Sequence, residues 1–228
     1  MNRSIGVMKM HLRDKLGYLY LPWIICLGSF SVNLLIGGLI QEEKGFYSGG
    51  LMSIFVYMLV AGIVVVPQTI PFALGLGVRR SDYFTGTAST LTLLSFVFSI
   101  GLSLLSWIEA ATSGWGVNLG FFHLPYLYGG SYLQQFLVFF LIMLMLSLWG
   151  LIIACYHRRF GKAGTFTLFI ALFLLGSLFS FYMTYMGDWM AVFQWFADKT
   201  AMDLALLSIP FSVLFAALSY LFLRRSTV

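Results

Sequence analysis

Six stretches of this chain contain no Asp, Glu, Lys or Arg: Leu16–Ile40, Leu51–Phe72, Thr85–Trp107, Leu133–Cys155, Thr165–Met186 and Leu204–Leu223. At 1.5 Å per residue, each is long enough to cross about 30 Å of hydrocarbon as a helix. Lipid offers no partner for a bare backbone N–H or C=O, so apolar spans without strand-like alternation must bond internally, as helices. The expectation is an all-α integral membrane protein with six transmembrane helices, forming one unit over residues 1–228 with no separate soluble domain. Composition agrees, with 60% hydrophobic and 9% charged residues where a soluble domain carries about 25% charged.

The segments between the spans divide by charge. Assigned alternately to the two sides, one side receives Arg3, Lys9, Arg13, Lys15, Arg79, Arg80, Arg158, Arg159, Lys162, Arg224 and Arg225, which is 11 of the 13 basic residues. The other side keeps Lys44 and Lys199 together with Glu42, Glu43, Glu109, Asp188, Asp198 and Asp203, six of the eight acids. Lys and Arg in short loops mark the cytoplasmic face, so both termini are expected in the cytoplasm. The net charge of +5 is thereby absorbed by topology and lipid headgroups, and nucleic acid is not expected as a partner. The first apolar run is too long for a signal-peptide core and reads as a retained helix. Cys26 and Cys155 read as small packing residues, not as a disulfide.

Several chemistries lack their residues. No span holds a charged side chain, which argues against a proton- or sodium-coupled carrier. The closest approach to a phosphate loop, Gly161-Lys162-Ala163-Gly164-Thr165, would need Gly at Tyr156 and Ser or Thr at Ala163. Gly75-Leu76-Gly77 lacks the third glycine and the strand–turn–helix setting of a dinucleotide site. His11, His123 and His157 are far apart without ligand spacing; His123 and Glu109 meeting in an outer loop reads as a chance interfacial pair before it reads as a metal site. Glu42-Glu43 lacks the arginine expected four residues on, where Tyr47 stands. No catalytic residue, metal site or cofactor site is assigned.

Five features remain. Ile5, Met8, Leu12 and Leu16 recur at helical spacing among basic residues, an amphipathic interfacial helix ahead of the first span. Gly75 to Gly86 reads as a polar, aromatic loop containing one or two helical turns over Val78, Arg79, Arg80, Ser81, Asp82, Tyr83 and Phe84, after a second helix bent by Pro67 and Pro71. Thr92, Ser95, Ser99, Ser103 and Ser106 follow spacings of 3, 4, 4 and 3, one hydroxyl face of the third span for helix packing or, alternatively, for lining a path. The segment from Trp107 to Gly130 is rich in aromatic residues and reads as anchoring at the headgroup level. Trp189, Val192, Phe193 and Phe196 share one face of a short outer interfacial helix between the fifth and sixth spans.

This layout resembles the membrane subunits of type-two ATP-binding-cassette exporters, in particular the small stand-alone permeases of Gram-positive bacteria. The most similar phrase is PFALGLGVRRSDYF, Pro71 to Phe84. The resemblance implies a non-enzymatic transport subunit in the cell membrane, an elbow helix at the amino terminus, and a coupling helix over Val78–Phe84 that docks on a separate phosphate-loop ATPase present in two copies. It implies a second permease, identical or paralogous, and ATP and Mg bound in the partner ATPase, not in this chain. Two alternatives stay open: a substrate-binding membrane subunit of a vitamin-uptake system, and a non-transport membrane protein serving immunity or sensing. The first span contains no alanine, which speaks against the small-residue docking patterns of the uptake subunits.

Overall fold

The computed structural model describes residues 3–40, 46–128 and 130–225. Helices α1 (Arg3–Arg13), α2 (Leu21–Ile40), α3 (Met52–Gly75), α4 (Arg80–Ala111), α5 (Tyr132–Met186), α6 (Trp189–Ala197) and α7 (Ala201–Arg224) account for most of it. A π-helical turn over Leu16–Tyr20 leads into α2, and two-residue strands β1 (Phe46–Tyr47) and β2 (Leu119–Gly120) pair in parallel. Five helical segments are long and apolar enough to cross a membrane, so this is an all-α membrane protein. The expected loop carrying Glu42, Glu43 and Lys44 lies outside the described residues.

The tightest contact is between α3 and α5. A Cβ on Gly62 would stand 2.1 Å from the Ser147 carbonyl oxygen, and one on Gly150 would stand 2.1 Å from that of Leu59. The two backbones touch there with no side chain between, the arrangement that small residues permit inside lipid. Side-chain contacts then give the directions of the neighbours. Between α4 and α5, Ser106 meets Gln135 and Ser99 meets Met143, so the residue numbers sum to 241 and 242 and the helices run antiparallel. Between α5 and α7, Trp149 stacks on Phe215 and Tyr156 meets Phe222 edge-on, a constant offset of 66 residues, so these two run parallel.

Helix α5 is not one rod. Its 55 residues would extend about 80 Å if straight. At Gly161 the backbone leaves the helical region, with φ 67° and ψ −168°, a conformation open to glycine. His157 Nδ1 lies 2.9 Å from Thr165 Oγ1 and Tyr156 Oη lies 3.4 Å from Gly164 O. Residues eight apart are about 12 Å apart along a straight helix, so the chain folds back at Gly161. The returning arm, from Lys162 to Met186, is exposed over nearly its whole length, including Phe169, Phe173, Phe181 and Tyr185.

Several boundaries differ from the sequence reading. The third helix starts at Arg80 and not at Thr85, so Arg80–Phe84 are its first turns and form no separate helix. Gly86, read as the end of a loop, is helical and buried; its missing Cβ admits α1, because a Cβ there would stand 2.7 Å from the Ser4 carbonyl oxygen and from Val7. Helix α3 continues through Pro67 and Pro71 to Gly75. Glu109, placed in a loop from sequence, sits in the last turns of α4 with 2% exposure. Phe121 and Phe122, read as headgroup anchors, are fully buried and pack with Phe30 of α2. The short helix between the fifth and sixth spans is present as α6, with Trp189 and Val192 half-buried and Phe193 and Phe196 exposed.

Because Gly150 sits backbone to backbone with α3 and a Cβ at Gly176 would meet nothing within 4 Å, the two glycines separate packing from propensity. Gly150→Leu is expected to destabilise the detergent-solubilised protein by about 1–3 kcal/mol or more through overpacking. Gly176→Leu is expected to leave the thermal transition unchanged or raised. Thermal unfolding followed by circular dichroism measures both.

Candidate functional site

The ends of α3 and α4 form a helical hairpin at the end of the bundle that carries Arg79, Arg80, Arg158, Arg159, Arg224 and Arg225. Its turn is a Schellman motif: Val78 N–H donates to Ala73 O at 3.1 Å and Gly77 N–H to Leu74 O at 2.9 Å, with Gly77 at φ 74°. Arg79 is extended and caps α4, and Asp82 lies in the first turn, where a carboxylate is favoured by the helix dipole. Arg79 and Ser81 are exposed, while Val78, Arg80, Asp82 and Phe84 are half-buried.

Tyr83 departs most from a surface docking role. It is completely buried, its hydroxyl 2.7 Å from Thr69 Oγ1 and donating to Val65 O at 3.3 Å, which bolts the base of the hairpin together. Arg80 Nη1 donates to the Arg224 carbonyl oxygen at 3.3 Å, supplying a positive donor to the C-terminal end of α7. Arg159 lies over the rings of Phe160 and Phe222 at 4.9 and 5.6 Å, which ties the Gly161 reversal to the same helix end.

Helix α1 crosses α4 at Gly86 and Thr87. The side facing α4 carries Val7 and His11, four residues apart and both buried. His11 Nε2 bonds Thr87 Oγ1 at 3.0 Å, and the ring meets Tyr18 and Tyr83 edge-on at 5.9 and 6.0 Å. His11 Nδ1 is buried without a hydrogen-bond partner, and burial lowers the imidazole pKa to about 4. The sequence-predicted apolar set lies away from this contact: Ile5 and Leu16 are exposed, Met8 and Leu12 half-buried, leaving that face free for lipid. From Thr87 to Arg80 the hairpin continues seven residues past the His11 contact, about 10 Å. A groove of about 540 Å³ runs alongside, and Met8, Phe84 and Thr92, one residue from each sequence-predicted set, line it with Thr85, Ser89, Phe96 and Phe140.

The hydroxyl stripe is mostly interior. Ser95, Ser99 and Ser106 are buried, Ser103 is half-buried and Thr92 is exposed in the groove. Thr92, Ser95 and Ser99 donate back to Ala88, Leu91 and Ser95 carbonyl oxygens at 2.7 to 2.9 Å. Ser103 Oγ is buried without a partner. The stripe therefore packs α4 against α5, where Met143 and Gln135 receive it.

At the opposite end, Glu109 anchors the loop that plugs the bundle. Its Oε1 accepts from the backbone N–H groups of Phe121, Phe122 and His123 at 2.9, 3.2 and 2.8 Å, and its Oε2 from Trp115 Nε1 at 2.8 Å and Phe122 N at 3.0 Å. Glu109 and His123 thus meet, but through the histidine backbone. No group of three or more metal-ligating side chains occurs among the described residues.

His11, Gly86, Thr69 and Glu109 were not singled out from sequence as parts of one site. The i, i+4 pair Val7 and His11 carries a weak signal, but a histidine on a basic helix gives no hint of burial. His11 is neutral when docked and has an ordinary pKa of about 6.5 when released, so acid favours release: docking is weakened as pH falls below about 6.5 and the effect is complete near the docked value of about 4. The groups facing it are the Tyr18 and Tyr83 rings and Thr87, none of them an anion. Hydrogen-exchange protection of residues 3–13, corrected for intrinsic rates, is expected to fall several-fold between neutral pH and pH 5 in the native chain. In His11→Leu it is expected to be insensitive to pH.

No protein-family model, curated protein or solved structure matches this chain.

Proposed function

We propose that the chain is the membrane permease subunit of an ATP-binding-cassette exporter, with its basic end in the cytoplasm and its energy supplied by a separate ATPase. The observation that carries this reading is the α3–α4 hairpin: it continues past the elbow contact, exposes Arg79 and Ser81, and is fastened to two spanning helices by the buried Tyr83–Thr69 bond. A load on its tip moves α3 and α4 together, because the hinge that a loop would provide is replaced by a Schellman turn and continuous helix. The coupling element is accordingly Val78 to Asp82 at the tip, with the buried Tyr83 and the half-buried Phe84 as its root.

The chain is read as crossing six times, with α5 contributing two crossings. Parallel α5 and α7 need a return path of similar length between them, and the arm from Lys162 to Met186 after the Gly161 reversal provides it. Six crossings put eleven of the thirteen basic residues on one side, in keeping with the orientation rule. The partners in this reading are two ATPase copies, which bind ATP and Mg, and a second permease, the same or paralogous.

Co-expressed with its ATPase in lipid nanodiscs, the triple variant Arg79→Ala, Arg80→Ala, Asp82→Ala is expected to lose most of the permease-dependent hydrolysis, about tenfold, the scale of one or two lost charged contacts. Helical content is expected to stay native. Unchanged hydrolysis in the variant, or accessibility of a cysteine at position 79 from the outside of intact cells, would overturn the assignment.

A further inference from the structure

We propose that the cavity at the acidic end of the bundle is a binding site for a protonated amine. The cavity measures about 330 Å³, and its walls include Phe46, Tyr47, Glu109, Ser113, Asn118 and His123. It lies at the end opposite the basic hairpin, on the side with Asp188, Asp198 and Asp203. The inference uses no partner ATPase, so its failure would leave the permease reading standing.

Charge is the first argument. Glu109 is 2% exposed and both its oxygens accept N–H bonds, yet no ion pair to it forms among the described residues. Lys199, the one Lys or Arg among the described residues at this end, lies over the Trp195 ring at 5.6 Å instead. Five N–H bonds solvate the carboxylate without cancelling its charge, so the cavity beside it favours a cation.

The hydrogen-bond pattern around His123 gives the second. Gln135 Nε2 donates to Phe122 O at 3.3 Å, which turns Gln135 Oε1 toward Ser106. An amide oxygen only accepts, so the Ser106 hydroxyl must donate its single proton there, at 3.0 Å. Ser106 Oγ is then left as the acceptor for His123 Nδ1 at 3.1 Å, so Nδ1 carries the proton. In the neutral ring Nε2 is consequently a bare acceptor, and it makes no hydrogen bond within the described protein. A buried negative charge and an unoccupied acceptor on two residues of one cavity wall select a cationic N–H donor. Phe46 and Tyr47 complete the wall, and the Tyr47 ring lies against Gly120, where a Cβ would stand 2.3 Å from it. Aromatic side chains in the wall suit a cation able to meet their faces.

A primary ammonium at this end can come from a soluble amine or from an ethanolamine headgroup, and one experiment separates them. The protein, labelled with ¹⁵N-histidine and assigned with His123→Gln, is placed in phosphatidylcholine nanodiscs at mildly alkaline pH and titrated with n-butylammonium. The His123 Nε2 resonance is expected to start at the unprotonated position and to shift saturably, while 1-butanol has no effect. A shift already present in discs containing phosphatidylethanolamine identifies the lipid headgroup as a source, and a shift confined to added butylammonium identifies the soluble amine. Glu109→Gln is expected to weaken binding about tenfold, the scale of one charge-assisted contact. Should that variant disturb the loop, Tyr47→Ala leaves the five N–H bonds of Glu109 in place and is expected to weaken binding as well. No saturable shift in either lipid, an equal response to 1-butanol, or a proton found on Nε2 of the neutral ring would overturn the proposal.

Discussion

The close approach of α3 and α5 at Gly62 and Gly150 is the contact on which the arrangement depends. Within lipid, apolar side chains gain nothing by leaving hydrocarbon for another apolar surface, so helices associate through fit and hydrogen bonding. Two glycines facing each other let the backbones of α3 and α5 meet along their middles, and the rest of the bundle is placed from that axis. Helix α4 closes one side with a face of serines, of which Ser95 and Ser99 bond their own helix and Ser106 bonds Gln135, so only Ser103 among them has a buried hydroxyl left bare. Helix α7 lies along the first arm of α5, in the same direction.

Helix α4 is anchored by buried polar groups near both ends. At the basic end Tyr83 and Thr87 join it to α3 and α1; at the other, Ser106 and Glu109 join it to Gln135 and to the plug of residues 119–124. One continuous helix of 32 residues thus links the hairpin to the plug. The proposed coupling function and the proposed amine site are thus placed at two ends of one helix.

The residues of the α3–α4 hairpin stand together in the sequence, but how they are built into the bundle was not legible there. Charge-free runs mark where lipid begins and ends, not where a helix does. The third span therefore read as starting at Thr85, although α4 begins with the charged turn at Arg80, outside the charge-free run. The same rule placed Glu109 in a loop, because an acid is costly in a membrane. Here the backbone of residues 121–123 and the Trp115 indole supply the hydrogen bonds that water would have supplied. Gly86 read as a break since glycine lowers helix propensity, yet its role is to let another helix touch. The amphipathic character of α1 was visible, but the face that packs on α4, Val7 and His11, was not the face with the regular apolar repeat.

The amino-acid sequence by itself determined that the chain lives in a membrane as helices, since a backbone in hydrocarbon must satisfy its own hydrogen bonds and a run of some twenty residues without charge has no cheaper state. It also set the segregation of basic from acidic ends, because that property is additive over residues. Only the tertiary structure decided that Tyr83 is a buried bolt, that Glu109 is solvated by a loop, and that the Gly161 reversal sets α5 parallel to α7. Each of these depends on groups far apart in the chain meeting within hydrogen-bonding or van der Waals distance, which no local pattern encodes.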